Sequence, residues 1–251
     1  MTAMRLAWLR PEDPADGFPD IETALDEPDG LLAAGGDLGP DRLLAAYRRG
    51  IFPWYEDGQP ILWWSPDPRC ILLPEHLRAS RRLRQYARRS RLELTFNCSF
   101  GAVIRACARR RHYAHGTWIT ADMVAAYEQL HEAGWAHSVE VREGGELVGG
   151  LYGIAIGRVF FGESMYSGVD NASKFALLGL AAVMLDNGLE LLDCQVVSSH
   201  LLTIGAETIS RSSFRSQLDK LCSPAGRFGA WPSEPVPVPL ALQNWYAAAL
   251  Q

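Results

Sequence analysis

No run of the sequence is long and apolar enough to span a membrane. The longest apolar stretch, Phe175 to Leu185, is about half of the roughly 20 residues a spanning helix needs. The N-terminus lacks the apolar core of a secretory signal. A cytoplasmic protein is the expectation. Cysteine is scarce and odd in number: Cys70, Cys98, Cys107, Cys194 and Cys222 include no C-x-x-C pair. That argues against a disulfide framework and against a zinc site, and leaves reduced thiols. The six histidines are scattered, and His112 and His115 have no matching set of acids, so no metal is expected. A glycine-rich phosphate loop and a nucleophile elbow are also missing. Acid is nearly absent from one window. Between Arg78 and Arg111 stand eleven arginines and a single acid, Glu93.

What is present is an ordinary globular composition, 48% hydrophobic and 21% charged over 251 residues. That length suffices for one large domain or two small ones. The net charge of −5 speaks weakly against nucleic acid, but the arginine block concentrates positive potential locally, whatever the total. Arg78, Arg81, Arg82, Arg84, Arg88 and Arg89 fall on an expected helix, Leu77 to Arg89. A solvated helix face usually mixes both signs. This one suits a phosphate backbone.

Proline and glycine punctuate the first segment, which ends in Trp63-Trp64-Ser65-Pro66-Asp67-Pro68-Arg69. A boundary is expected near residue 69. It divides a small N-terminal α/β domain, residues 1–69, from a second domain, residues 70–251. Helices are expected at Arg42 to Arg49, Phe100 to Arg110 and Asp122 to Ala133, the last capped by Thr120. The pattern then turns to period two. Ser138 to Arg142, Leu147 to Ile156 and Val159 to Ser164, joined at Glu143-Gly144-Gly145 and Gly157-Arg158, read as an antiparallel meander. A helix opened by Asn171, a strand from Leu189 to Val197, and a last helix Arg211 to Leu221 follow. Trp231 to Pro239 reads as an extended tail. The class is α+β: a mostly antiparallel sheet flanked by helices, compatible with an acetyltransferase-like (GNAT) domain.

Asp193 and Gln195 stand two apart on an apolar strand and share a face. Such a pair either satisfies a neighbouring loop or does chemistry. Glu163, in Gly162-Glu163-Ser164, is either a turn residue or a carboxylate at the mouth of an apolar pocket. Trp54, Trp63, Trp64 and Trp118 are either core or a stacking platform for a nucleobase. The Q/R-x-x-G-x-G/A element by which many acetyltransferases hold coenzyme A is absent, so no cofactor is expected.

Several unusual strings occur together and in order. They include Arg49-Gly50-Ile51-Phe52-Pro53-Trp54, Trp63 to Arg69, His115-Gly116-Thr117-Trp118-Ile119-Thr120, Gly162-Glu163-Ser164-Met165, Asn171-Ala172-Ser173-Lys174 and Asp193-Cys194-Gln195-Val196. With them the sequence, from about Phe18 to Leu218, resembles the bacterial leucyl/phenylalanyl-tRNA–protein transferases. The resemblance implies a reaction without metal or coenzyme A. Leucine, or less readily phenylalanine or methionine, leaves the tRNA 3′ ester for the α-amino group of a protein that begins with Arg or Lys. The product carries an N-terminus that marks it for degradation.

The resemblance further implies that Trp54 and Trp118 face the terminal adenosine. Leu151, Phe160, Met165 and Leu192 would form the pocket for the transferred side chain, and the arginine helix would grip the tRNA. Asp193 and Gln195 would orient and activate the amine, with Glu163 near the cationic N-terminal residue. Where the family commonly has Leu-Asn-Asp-His, this chain has Val197-Ser198-Ser199-His200. Ser198 therefore becomes a shorter candidate donor to the oxyanion. A monomer is expected. The rival readings are a coenzyme A-dependent N-acetyltransferase and a non-catalytic tRNA-binding protein.

Overall fold

The computed structural model describes residues 6–111, 118–223 and 230–250, without the side chains of Arg110 and Arg111. His112, His115, Gly116 and Thr117 lie outside the described residues. The N-terminal part contributes β1 (Ala7–Leu9), β2 (Leu31–Gly35), α1 (Pro40–Arg48), β3 (Phe52–Pro53) and β4 (Leu62–Trp64). The rest runs β5 (Arg69–Leu72), α2 (Arg81–Arg89), β6 (Glu93–Phe96), α3 (Phe100–Arg111), α4 (Ala121–Glu132), β7 (Ala136–Glu143), β8 (Glu146–Ile156) and β9 (Val159–Ser167). Then follow α5 (Ala172–Asp186), β10 (Leu191–Gln195), α6 (Ser199–Thr203), β11 (Glu207–Ile209), α7 (Arg211–Leu221), β12 (Val236–Pro237) and α8 (Val238–Ala249). No helix among the described residues is long and apolar enough to cross a membrane.

The strands form two sheets in an α+β arrangement. The smaller has the order β1-β2-β4-β3 and the larger β11-β5-β10-β9-β8-β7-β6-β12. The large sheet is antiparallel among its described pairs except at β10 and β9. The meander β7-β8-β9 matches the period-two pattern, and Gly144 and Gly145 turn its first hairpin at φ 57° and 89°, where a side chain is strained. Arg69 is the first residue of β5, a strand of the large sheet.

Successive side chains of a strand point to opposite faces, and the core divides accordingly. Ile71, Phe161 and Leu191 pack on one face with Tyr47, Tyr127 and Phe214. Leu72, Phe160 and Leu192 pack on the other with the apolar faces of α2, α5 and α8. Helix α5 is apolar nearly all round and almost wholly buried, as a helix between a sheet and α8 must be.

Three expectations are corrected, while Asn171 does open α5, from a left-handed conformation and without a side-chain cap bond. The arginine helix begins at Arg81, because the Ser80 hydroxyl accepts from Leu83 N at 3.1 Å and caps it there. The strand after α5 is shorter than expected, since Gln195 leaves the extended region at φ 62°. The tail is not extended throughout. Val236–Pro237 pairs with β6, and α8 follows.

Candidate active site

The site forms where two neighbouring strands separate. β9 and β10 pair in parallel only from Val159 to Phe161 against Leu191 to Asp193. The next residues, Gly162, Glu163 and Cys194, border two cavities at once. The first, about 180 Å³, is also lined by Phe52, Pro53, Trp54, Trp118, Gln195 and Val196. The second, about 190 Å³, is lined by Leu151, Phe160, Met165, Leu177, Leu180 and Leu192, among others. One cavity is aromatic and polar, on the Tyr47 face of the sheet. The other is apolar, on the α5 face. Gly162, Glu163 and Cys194 form the wall that the two cavities share.

Glu163 holds the seam. Its carboxylate is buried and accepts from Tyr47 Oη at 2.7 Å, Gln195 Nε2 at 2.7 Å and Tyr127 Oη at 2.9 Å. The two tyrosine hydroxyls also touch each other. Tyr47 and Gln195 both donate to Oε1, while Tyr127 alone donates to Oε2. Oε2 therefore keeps acceptor capacity. Burial raises the Glu163 carboxyl to about 7, against the lowering effect of its three donors. Burial, and then the Glu163 charge, push both tyrosines well above their ordinary value. They are donors here, not acids.

Asp193 stands behind this group. It is fully buried, and Arg69 grips it from β5, with Nε to Oδ1 at 2.8 Å and Nη2 to Oδ2 at 2.7 Å. Arg69 is itself buried, its guanidinium 4.9 Å from the Phe52 ring centre and 4.6 Å from that of Phe214. It also donates to Gly50 O at 3.0 Å. Asp193 Oδ1 accepts from Gln195 N at 2.9 Å. That bond spans a bulge in the β10–β5 ladder and steadies Gln195 in its left-handed conformation, which costs a non-glycine residue about 1–3 kcal/mol. A chain of contacts thus runs from Arg69 through Asp193 and Gln195 to Glu163.

Trp54 and Trp118 come together in the first cavity, with Trp54 42% exposed. Trp63 is core, with no exposure. Trp64 tilts against Trp54 at 5.7 Å and donates to Trp54 O at 2.6 Å. Leu151, Phe160, Met165 and Leu192 all line the second cavity. Ser198 lines neither. It is exposed, and its hydroxyl accepts from Leu201 N at 3.2 Å to cap α6. Arg81, Arg82, Arg88 and Arg89 are exposed on α2. Arg84 is half-buried and bonds Tyr246 Oη at 2.8 Å. Arg78 is exposed but precedes the helix. Arg82, Arg89 and Arg91 line an open cleft of about 550 Å³ with Tyr86 and Glu143. This cleft shares no lining residue with the two cavities.

Sequence reasoning missed Tyr47, Tyr127 and Arg69. Arg69 belongs to a string that carries the resemblance and Tyr47 stands two residues before another, but no local pattern says that Tyr47 and Arg69 meet residues 116 and 124 positions away.

Residues 71–219 match the family described as leucyl/phenylalanyl-tRNA protein transferase, and residues 36–67 match its N-terminal domain. The chain belongs to this family. A leucyl/phenylalanyl-tRNA–protein transferase of Pseudomonas paraeruginosa is 59% identical over 203 residues, 81% of this chain and 90% of that protein. One from Pseudomonas entomophila is 55% identical over 222 residues, 88% of this chain and 97% of that protein. The two family matches cover α1, β3, β4, α4, the meander and β10, and hence Tyr47, Tyr127, Glu163, Asp193 and Gln195, while Arg69 lies between the matched ranges.

Proposed function

We propose that this chain moves leucine or phenylalanine from aminoacyl-tRNA to the α-amino group of proteins that begin with Arg or Lys. The observation that carries the reading is the seam, where Glu163 borders both an aromatic cavity and an apolar one. Trp54 and Trp118 suit a terminal adenosine. A cavity of about 190 Å³ suits a leucyl or benzyl side chain, since an engineered apolar cavity of about 150 Å³ takes up benzene. An ester held across the gap would present its carbonyl carbon near Glu163.

The chemistry is aminolysis. The acceptor nitrogen attacks the ester carbonyl, an N–C bond forms, and the C–O bond to the ribose breaks. One proton must leave the nitrogen and one must reach the ribose oxygen. Glu163, half ionised near neutral pH and with Oε2 able to accept, can carry that proton from one to the other. Gln195 orients it. Asp193, already committed to Arg69, acts as a positioning residue by holding Gln195. This reading moves the proton-handling role from Asp193 to Glu163. The exposed arginines of α2 would hold tRNA phosphates. The division near residue 69, the acetyltransferase-like description of residues 70–251, a monomeric state and a cytoplasmic location are parts of the same proposal. The product's new N-terminus would mark it for degradation.

The test is transfer of radiolabelled leucine from leucyl-tRNA to a peptide with N-terminal Arg, beside a matched peptide with N-terminal Ala. Label on the Arg peptide alone is the expected result. Binding of tRNA without any transfer would favour a binding protein. Binding of acetyl-coenzyme A would favour an acetyltransferase.

A further inference from the structure

Helix α2 turns Leu83 and Ala87 to the core and presents a polar stripe to an open cleft. Arg82, Gln85, Tyr86 and Arg89 follow the i, i+3, i+4, i+7 spacing of one helical face, and all four are exposed. With Arg91 and Glu143 they line the cleft of about 550 Å³, within the size range of sites that take a small organic group. Tyr86 stands in the middle of the stripe. Its ring stacks on Phe175 of α5, with centroids 5.8 Å apart and planes 27° apart. Phe175 is wholly buried, while Tyr86 keeps 44% exposure. Among the described residues, none of the three arginines is ion-paired with Glu143 or with any other acid.

We propose that this cleft is a nucleoside site, in which an unpaired nucleotide of the RNA stacks its base on Tyr86, the arginines hold the flanking phosphates, and Glu143 accepts from the base edge or the ribose 2′-hydroxyl. That the RNA is the tRNA substrate rests on the function proposed above. Arginines alone would suit any phosphate backbone, but two features ask for more. The Tyr86 ring, already backed by Phe175, continues a stack that a base can extend, whatever its identity. A carboxylate only accepts hydrogen bonds, and the phosphates that three guanidinium groups attract have no proton to offer it. The N–H groups of a base edge and the ribose 2′-hydroxyl do. A base inside a duplex has both faces covered by its neighbours, so the site takes an unpaired one. Helix α5 ties the cleft to the seam. Phe175 backs Tyr86, and Leu177 and Leu180 line the apolar cavity. Five residues of helix rise only about 7.5 Å, well within the reach of one RNA.

The experiment measures binding of uncharged leucine tRNA to the full chain at several salt concentrations. Tyr86→Leu keeps an apolar contact for Phe175 but loses the aromatic face. It should weaken binding about 5- to 150-fold and leave the slope of log Kd against log salt as it is in the native chain. Arg89→Ala should instead flatten that slope by about 0.7–0.9. Tyr86→Phe and Tyr86→Trp should rescue the affinity, and Glu143→Ala should weaken it. Native affinity in Tyr86→Leu would overturn the proposal. So would a slope that flattens in Tyr86→Leu as in Arg89→Ala, because the ring would then only hold the arginines in place. Tighter binding by Glu143→Ala would overturn it too, since phosphates alone would then fill the cleft. These measurements do not require transfer. The expected binding pattern in a chain that never transfers would refute the functional reading alone. Transfer by Tyr86→Leu with the native KM for leucyl-tRNA would refute the stacking alone.

Discussion

Glu163→Gln separates the charge of the central carboxylate from its shape. The amide keeps a carbonyl oxygen for the tyrosine donors but cannot take up a proton. If Glu163 is the group that moves the proton, the loss should be the usual contribution of a general base, about 10²–10⁴ in rate. The pH profile gives a sharper signature. Glu163 titrates at about 7, and the acceptor's α-amino group at about 8. The native kcat/KM should therefore rise with pH through two limbs. One unit below either value only about a tenth of that group is in the reactive form, so the rate falls about tenfold per unit for each. Well below both, the two effects multiply.

The variant should keep the amine limb near 8 and lose the one near 7. The assay is single-turnover transfer from radiolabelled leucyl-tRNA to an Arg-initiated peptide, at time points short relative to spontaneous ester hydrolysis. A limb near 7 that persists in Glu163→Gln would show that another group takes the proton. A variant rate within about threefold of native at high pH would refute the base role outright.

The same titration affects stability. A carboxyl raised from 4.5 to about 7 in the folded state stabilises the fold fully below 4.5, and that contribution is lost as pH rises through about 7. The difference corresponds to about 3 kcal/mol. Urea denaturation of the native chain should follow that loss, and Glu163→Gln should remove this part of the dependence. Arg69→Met leaves Asp193 buried and unpaired, which should cost about 3–5 kcal/mol; a midpoint shift worth under about 1 kcal/mol would mean the pair is not buried as described. Arg82→Ala with Arg89→Ala should raise KM for aminoacyl-tRNA, leave turnover intact and flatten the salt dependence by about one phosphate contact per residue; unchanged KM at two salt concentrations would remove the cleft from the tRNA path. Leu151→Trp should fill the apolar cavity and reduce transfer of phenylalanine more than of leucine, read from competing charged tRNAs; equal losses would place the transferred side chain elsewhere.

How much of this could be read in the sequence depends on the range of the interaction involved. The meander was legible because alternation and glycine turns are local, and α7 because Ser210 stands directly before it and accepts from Ser213 N at 3.2 Å. Helix α8 was missed although its signal was present. Val238, Ala241, Leu242 and Trp245 follow the spacing of one helical face, and all are buried. The prolines before them read as an extended tail, yet proline in a first turn gives up only an N–H that has no helical partner.

The site divides in the same way. The four apolar residues expected in the pocket, Leu151, Phe160, Met165 and Leu192, were within reach of strand periodicity once the family's pocket was in view. The role of Asp193 was not, because what decides it is Arg69, 124 positions away. A buried carboxylate on a strand reads as a base or as half of an ion pair, and only the partner settles which. Glu163 has the opposite surroundings, three neutral donors and no cation among its hydrogen-bond partners. A bidentate arginine occupies both carboxylate oxygens and commits the group to structure. A neutral cage leaves its proton free to move near neutral pH, and that contrast is what supports the proposal that Glu163 is the centre of the chemistry and Asp193 its support.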